Sequence, residues 1–156
     1  MKILIRSRKE IEEMARQPFP EHTALISITD HDWSFAELEH KPEFLLQLAF
    51  DDIDNDAIVD ELGRKPTEEE RQTIEAKYNM FSDEQAKQVA SFYHNYKDTI
   101  EVFICQCEHG QSRSAAVAAA IMEFRSRKGI TIFASDRYYP NKVVFRKVHF
   151  ALKLMG

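Results

Sequence analysis

An apolar stretch, Ile100–Gln106, runs directly into the polar octapeptide Cys107-Glu108-His109-Gly110-Gln111-Ser112-Arg113-Ser114, which opens into the small-residue apolar run Ala115–Phe124. In order, these read as a strand, a tight loop and a buried helix. That order restricts the fold. A strand that feeds a helix apolar on all sides belongs to a sheet covered by helices. It also restricts what the loop can hold, because loop amides and a helix N-terminus gather around an anion. A cysteine entering such a loop lies in an electropositive field that favours the thiolate, a nucleophile. An arginine at its end can grip two oxygens of a phosphate at once. Gly110 lets the backbone turn and approach a ligand closely. The backbone amides of Glu108, His109, Gly110, Gln111 and Ser112, together with Arg113, form the expected phosphate-binding set. The expected chemistry is hydrolysis of a phosphate ester through a cysteinyl-phosphate.

Elsewhere, apolar runs alternate with capping signals. Ile3–Ile5 reads as a short strand, and Ser7-x-x-Glu10 as a capping box opening a helix with Ile11, Met14 and Ala15 on one face. Thr23–Ile28 and Leu45–Phe50 read as buried strands. The first ends at the polar group Thr29-Asp30-His31-Asp32, the second at the acidic turn Asp51-Asp52-Ile53-Asp54. Thr67-x-x-Glu70 after Pro66 predicts a helix through about Tyr78, and Ser82-Asp83-Glu84-Gln85 opens another with Ala86, Val89, Ala90, Phe92 and Tyr93 inward. Residues 54–80 are strongly charged and read as an excursion between the third strand and the Ser82 helix. Pro140 resembles a first-turn proline, which favours a final helix lined by Val143, Val144, Val148, Phe150, Ala151 and Leu154 over a strand at Val143–Phe145. The fold class expected is α/β, a central mostly parallel sheet flanked by helices on both faces. The phosphate-binding loop falls between a core strand and a buried helix. Ligands of such sheets bind outside the carboxyl ends of the strands. Asp30–Asp32, Asp51–Asp56 and Cys107–Arg113 all fall there.

At 156 residues the chain is expected to be one domain, 1–156. Its net charge of −5 argues against broad affinity for nucleic acid or anionic membranes. No 18-residue apolar run is present, and the N-terminus lacks a signal-peptide core. The only cysteines, Cys105 and Cys107, supply no disulfide framework, so a reducing cytoplasm is the expected compartment. No histidine or cysteine set has zinc-like spacing, so neither metal nor cofactor is expected.

At Cys107, Gly110, Arg113 and Ser114 the chain resembles the cysteine-based protein tyrosine phosphatases, whose signature is Cys-x-x-Gly-x-x-Arg-Ser/Thr. One position departs. Many members carry His before the cysteine, where this chain has Gln106. The resemblance implies catalysis by Cys107 and Arg113, a serine, Ser114, that hydrogen-bonds the sulfur, and an aspartic acid from a loop after an upstream strand. Asp52 is the expected acid, with Asp51, Asp54, Asp56 and Asp83 as alternatives. For Asp83 the stronger reading is an acid in a helix's first turn, and for Ser114 a helix-opening hydroxyl is compatible with bonding the sulfur. Glu108 is expected to turn outward, away from a dianion. His109 reads as a surface or packing residue, Cys105 as a buried thiol, and Trp33 as either a cleft wall or a core residue. The loop's position late in a short chain resembles the small dual-specificity-like phosphatases. Its lack of lysine argues against a phosphoinositide. The implied partner is a phosphorylated protein, phosphotyrosine foremost, or a small phosphomonoester. Three other readings use the same loop: a phosphate-binding pseudophosphatase, a rhodanese-type sulfurtransferase, and a Cys105–Cys107 redox sensor.

Overall fold

A computed structural model describes residues 1–156. Four strands, β1 (Lys2–Arg6), β2 (Thr23–Thr29), β3 (Phe44–Ala49) and β4 (Val102–Gln106), form one sheet in the order β1-β4-β2-β3. Every neighbouring pair is parallel. The helices are α1 (Arg8–Met14), α2 (Asn55–Leu62), α3 (Glu68–Lys77), α4 (Asp83–Tyr96), α5 (Arg113–Ser126), α6 (Ile130–Phe133) and α7 (Lys142–Met155).

Parallel strands need crossovers that cover both faces, so their residues are apolar without alternation. β2 shows this best, with all seven residues buried. On one face Leu25 and Ile104 pack with Ile11 of α1 and with Ala36. On the other, Ile26, Ile28, Phe103, Cys105 and Cys107 join Val89 of α4, Val117 and Ile121 of α5, and Val144 and Val148 of α7. Helix α5 is buried continuously from Arg113 to Ile121, and its alanines let it lie close against the sheet. β4 sits between β1 and β2, with Gln106 opposite both Arg6 and Ser27, so the segment after it leaves from the middle of the sheet.

Three of the predicted helix starts carry complete capping boxes, Ser7 with Glu10, Thr67 with Glu70, and Ser82 with Gln85. The charged excursion holds two helices, α2 and α3. They rest on α7 through a separate small cluster of Ile58, Met80 and Val143. The last helix differs from expectation in its start and in its inward face. Asn141, not Pro140, sets its first turn by accepting hydrogen bonds from the backbone of Val143 and Val144. Leu152 turns inward, while Phe150 and Leu154 are exposed. Trp33 is also exposed and belongs to no core cluster. No helix is long and apolar enough to cross a membrane.

Candidate active site

The loop leaving β4 is seated on the junction between β1 and α1. Cys107 donates its N–H to the carbonyl of Arg6 at 3.3 Å, and Arg8 donates its own to the carbonyl of Glu108 at 3.1 Å. On the far side Tyr139 and Asn141 donate to the carbonyls of Gln111 and Ser112, at 2.8 and 3.3 Å. The carbonyls of Glu108, Gln111 and Ser112 are thus engaged from outside the loop. The N–H groups of residues 108–113 have no acceptor in the protein. Ser112, at the start of α5, makes no side-chain cap either. Six consecutive free donors beside a helix N-terminus are an arrangement that attracts an anion.

Gly110 makes the turn possible. Its φ is +67°, and a Cβ there would stand 2.8 Å from backbone atoms of both Arg6 and Ser7. Gly110→Ala is therefore expected to combine left-handed strain of about 1–3 kcal/mol with a backbone clash that pushes the loop off its seat. Thermal unfolding should register the first effect, and loss of vanadate binding by calorimetry the second.

Cys107 is buried, and its Sγ lies 3.0 Å from Ser114 Oγ. Arg113 is buried as well. Its Nη1 donates to Asp30 Oδ1 and to the carbonyl of Phe50, each at 2.7 Å. These two contacts fix the guanidinium plane, and the buried Nε is left without a partner. An unpaired buried donor is costly, so this one marks a position where an acceptor is wanted. Gln106, where the phosphatases that the signature resembles often carry histidine, is fully buried and satisfied. It accepts from Ser27 Oγ and donates to the carbonyl of Cys107, tying the loop entrance to β2.

Glu108 points away from the amides, as expected, and receives Arg8 Nε at 2.7 Å. Arg8 also donates to Thr29 Oγ1 and to the carbonyl of Ser34, joining α1, the loop and the turn after β2. His109 and Gln111 are exposed. Cys105 is fully buried in the sheet, and burial pushes its thiol pKa well up, which leaves it inert.

The acidic candidates separate clearly. Asp52 alone among the five touches the loop, its Oδ1 accepting from Ser112 Oγ at 2.8 Å and from Asn141 Nδ2 at 2.9 Å. Asp51 is occupied by His31, through both the backbone N–H and the ring. Burial opposes its ionisation, but the His31 hydrogen bonds outweigh that and hold its carboxyl below the usual range. In the same pair, the hydrogen bond to Asp51 raises the pKa of His31. Asp54 caps α2 by accepting from Ala57 N, and Asp56 stands exposed in that helix's first turn. Asp83, in the first turn of α4, lies 3.2 Å from Lys147 of α7.

Sequence reasoning missed Asp30 as the partner of Arg113, and it missed Asn141 and Arg8 altogether. Only Asp30 left a signal, as the first acid after a buried strand. The aromatics Trp33 and Tyr139 are exposed. Trp33 lies in the turn after β2. Tyr139 lies in the segment leading to α7, and its backbone N–H bonds Gln111 of the loop. No group of three or more His, Cys, Asp or Glu side chains is arranged to hold a metal ion.

No protein-family model and no curated protein matches this chain. Solved structures do. Tk-PTP in its active form aligns over 98% of this chain and 92% of its own, with a TM-score of 0.52 and 14% identity. PTPMT1 aligns over 99% and 91%, with a TM-score of 0.47 and 11% identity. At these identities the likeness is one of fold.

Proposed function

From a chain with the fold of the protein tyrosine phosphatase superfamily, we propose a phosphate monoester hydrolase that works through a cysteinyl-phosphate. The observation that carries this reading is the convergence on one loop of free amides, 108–113, and the buried, unpartnered Nε of Arg113, beside Cys107 Sγ. A phosphate dianion supplies the acceptors that all of these groups lack. Held there, its phosphorus faces the sulfur.

Attack by the Cys107 thiolate forms the S–P bond and breaks the ester P–O bond. The departing oxygen takes a proton from Asp52. Both Ser112 and Asn141 bond Oδ1 of that residue, so Oδ2 is the oxygen that bears the proton. In the second step water attacks phosphorus, Asp52 accepts its proton, and the S–P bond breaks. Ser114 Oγ then steadies the returning thiolate. Arg113 and the amides meet the charge that builds on the phosphoryl oxygens in both steps. The substrate class proposed is a protein phosphotyrosine or dual-specificity phosphomonoester. Both cysteines are free, which suits a reducing compartment such as the cytoplasm.

Asp52→Asn tests the assignment. A general acid contributes about 10²–10⁴-fold, so phenyl phosphate should lose roughly that much kcat, and an ester with a strongly acidic leaving group far less. The measurement is the slope of log kcat against leaving-group pKa, with Asn substitutions at 51, 54, 56 and 83 as controls. An unchanged slope in Asp52→Asn and a steeper one in a control would reassign the acid. Vanadate binding with no turnover of any aryl phosphate would leave a binding module. Thiosulfate-to-cyanide transfer would indicate a sulfurtransferase.

A further inference from the structure

We propose that Asn141 is a positioning residue for the acid, coupling the start of α7 to the orientation of the Asp52 carboxylate. The proposal rests on Asp52 as proton donor. Asn141 is 5% exposed and uses both ends of its amide. Oδ1 accepts from Val143 N at 3.0 Å and Val144 N at 3.1 Å, capping α7. Nδ2 donates to Asp52 Oδ1 at 2.9 Å and to the carbonyl of Ile53 at 3.1 Å. Its backbone N–H reaches the carbonyl of Ser112 in the loop at 3.3 Å. A flipped amide would set a donor against two backbone N–H groups, so the hydrogen-bond pattern permits one orientation.

Capping alone requires only an acceptor, and serine or aspartate would serve. The Nδ2 donors are surplus to that task, and both go to the acidic turn. One holds the backbone of that turn at Ile53. The other pins the carboxylate by Oδ1, leaving Oδ2 for the proton. Ser112 Oγ, the second partner of Oδ1, is a rotatable hydroxyl on a partly exposed residue and fixes the carboxylate less firmly. The charged residues adjoining Asp52 and its partners Ser112 and Asn141 along the chain are Asp51, paired with His31, Asp54 at the start of α2, Arg113 and Lys142.

The test uses two variants that keep the cap. Asn141→Ser removes both donors to the turn. It should lower kcat on phenyl phosphate by about 10- to 100-fold, the cost of a misplaced catalytic group. On p-nitrophenyl phosphate the loss should be much smaller, with vanadate affinity unchanged. Asn141→Asp sets a second carboxylate against Asp52, and a like charge disfavours ionisation. The alkaline limb of the kcat profile for phenyl phosphate should therefore move to higher pH. A double-mutant cycle with Asp52→Asn should be strongly non-additive, since Asn141 acts only through that acid. Equal losses on both esters from Asn141→Ser, with an unmoved pH limb in Asn141→Asp, would overturn the proposal and leave a helix cap. If Asp52→Asn steepens the leaving-group dependence while Asn141→Ser does not, the positioning role fails and the acid stands. If Asp52→Asn has no effect, the acid assignment and the positioning role fall together.

Discussion

Cys107→Ser is expected to abolish turnover while leaving vanadate binding largely intact. The substitution keeps the shape of the loop entrance, and the amides of residues 108–113 and Arg113 are unaltered by it. What changes is the nucleophile. A serine hydroxyl is un-ionised at neutral pH and is not activated by a hydrogen-bonded base, because the side-chain hydrogen-bond partner of Cys107 Sγ is another hydroxyl, Ser114. Steady-state assays with p-nitrophenyl phosphate and calorimetric titration with vanadate separate the two properties. Turnover retained in this variant would reject the cysteinyl-phosphate route.

Arg113→Lys should be nearly as damaging. Nη1 alone satisfies Asp30 and the carbonyl of Phe50, and a lysine ammonium can reproduce those bonds. Doing so turns it away from the loop, and no second nitrogen remains for the phosphoryl oxygens. The planar fork that meets the transition state is lost. A donor of that kind is worth about 10²–10³-fold in kcat, and here the loss should fall in kcat more than in KM. A lysine variant with near-normal kcat would show that Arg113 serves only to join β2, β3 and the loop.

The parts of this site that could be read from the sequence are those that lie close together in it. Cys107, Gly110, Arg113 and Ser114 occupy one strand–loop–helix unit, and the strand and capping-box signals around them depend on neighbours three or four residues away. Asp30, Asn141 and Arg8 meet their partners across 83, 89 and 100 residues, and no local pattern encodes such a meeting. Asp52 lies between these cases. Its strand was readable, and its choice over Asp51 and Asp54 rests on long-range contacts of His31, Ser112 and Asn141. Helix α2 went unread because Ile58 is its only buried residue, which leaves little apolar period to detect. In α7 Val143, Val144, Val148 and Ala151 are buried as expected, and two residues of the expected row are not. With the first turn fixed by Asn141, the buried row runs through Val144, Val148, Ala151 and Leu152, and Phe150 and Leu154 fall on the opposite side.

The loop's seat also bears on the order in which the protein becomes competent. Arg6, the last residue of β1, and Arg8, just beyond it, hold one side, and β1 has a single sheet neighbour, β4, about a hundred positions along the chain. Tyr139 and Asn141, which hold the other side, come later still. Pairings of such long sequence separation are slow to form, because their loop-closure entropy must be met before the contact gives anything back. A chain that has paired β2 with β3 and buried α4 still lacks a supported loop. Completion of the loop is therefore a late event in folding, and on the proposed function intermediates with much of their secondary structure in place would still be inactive.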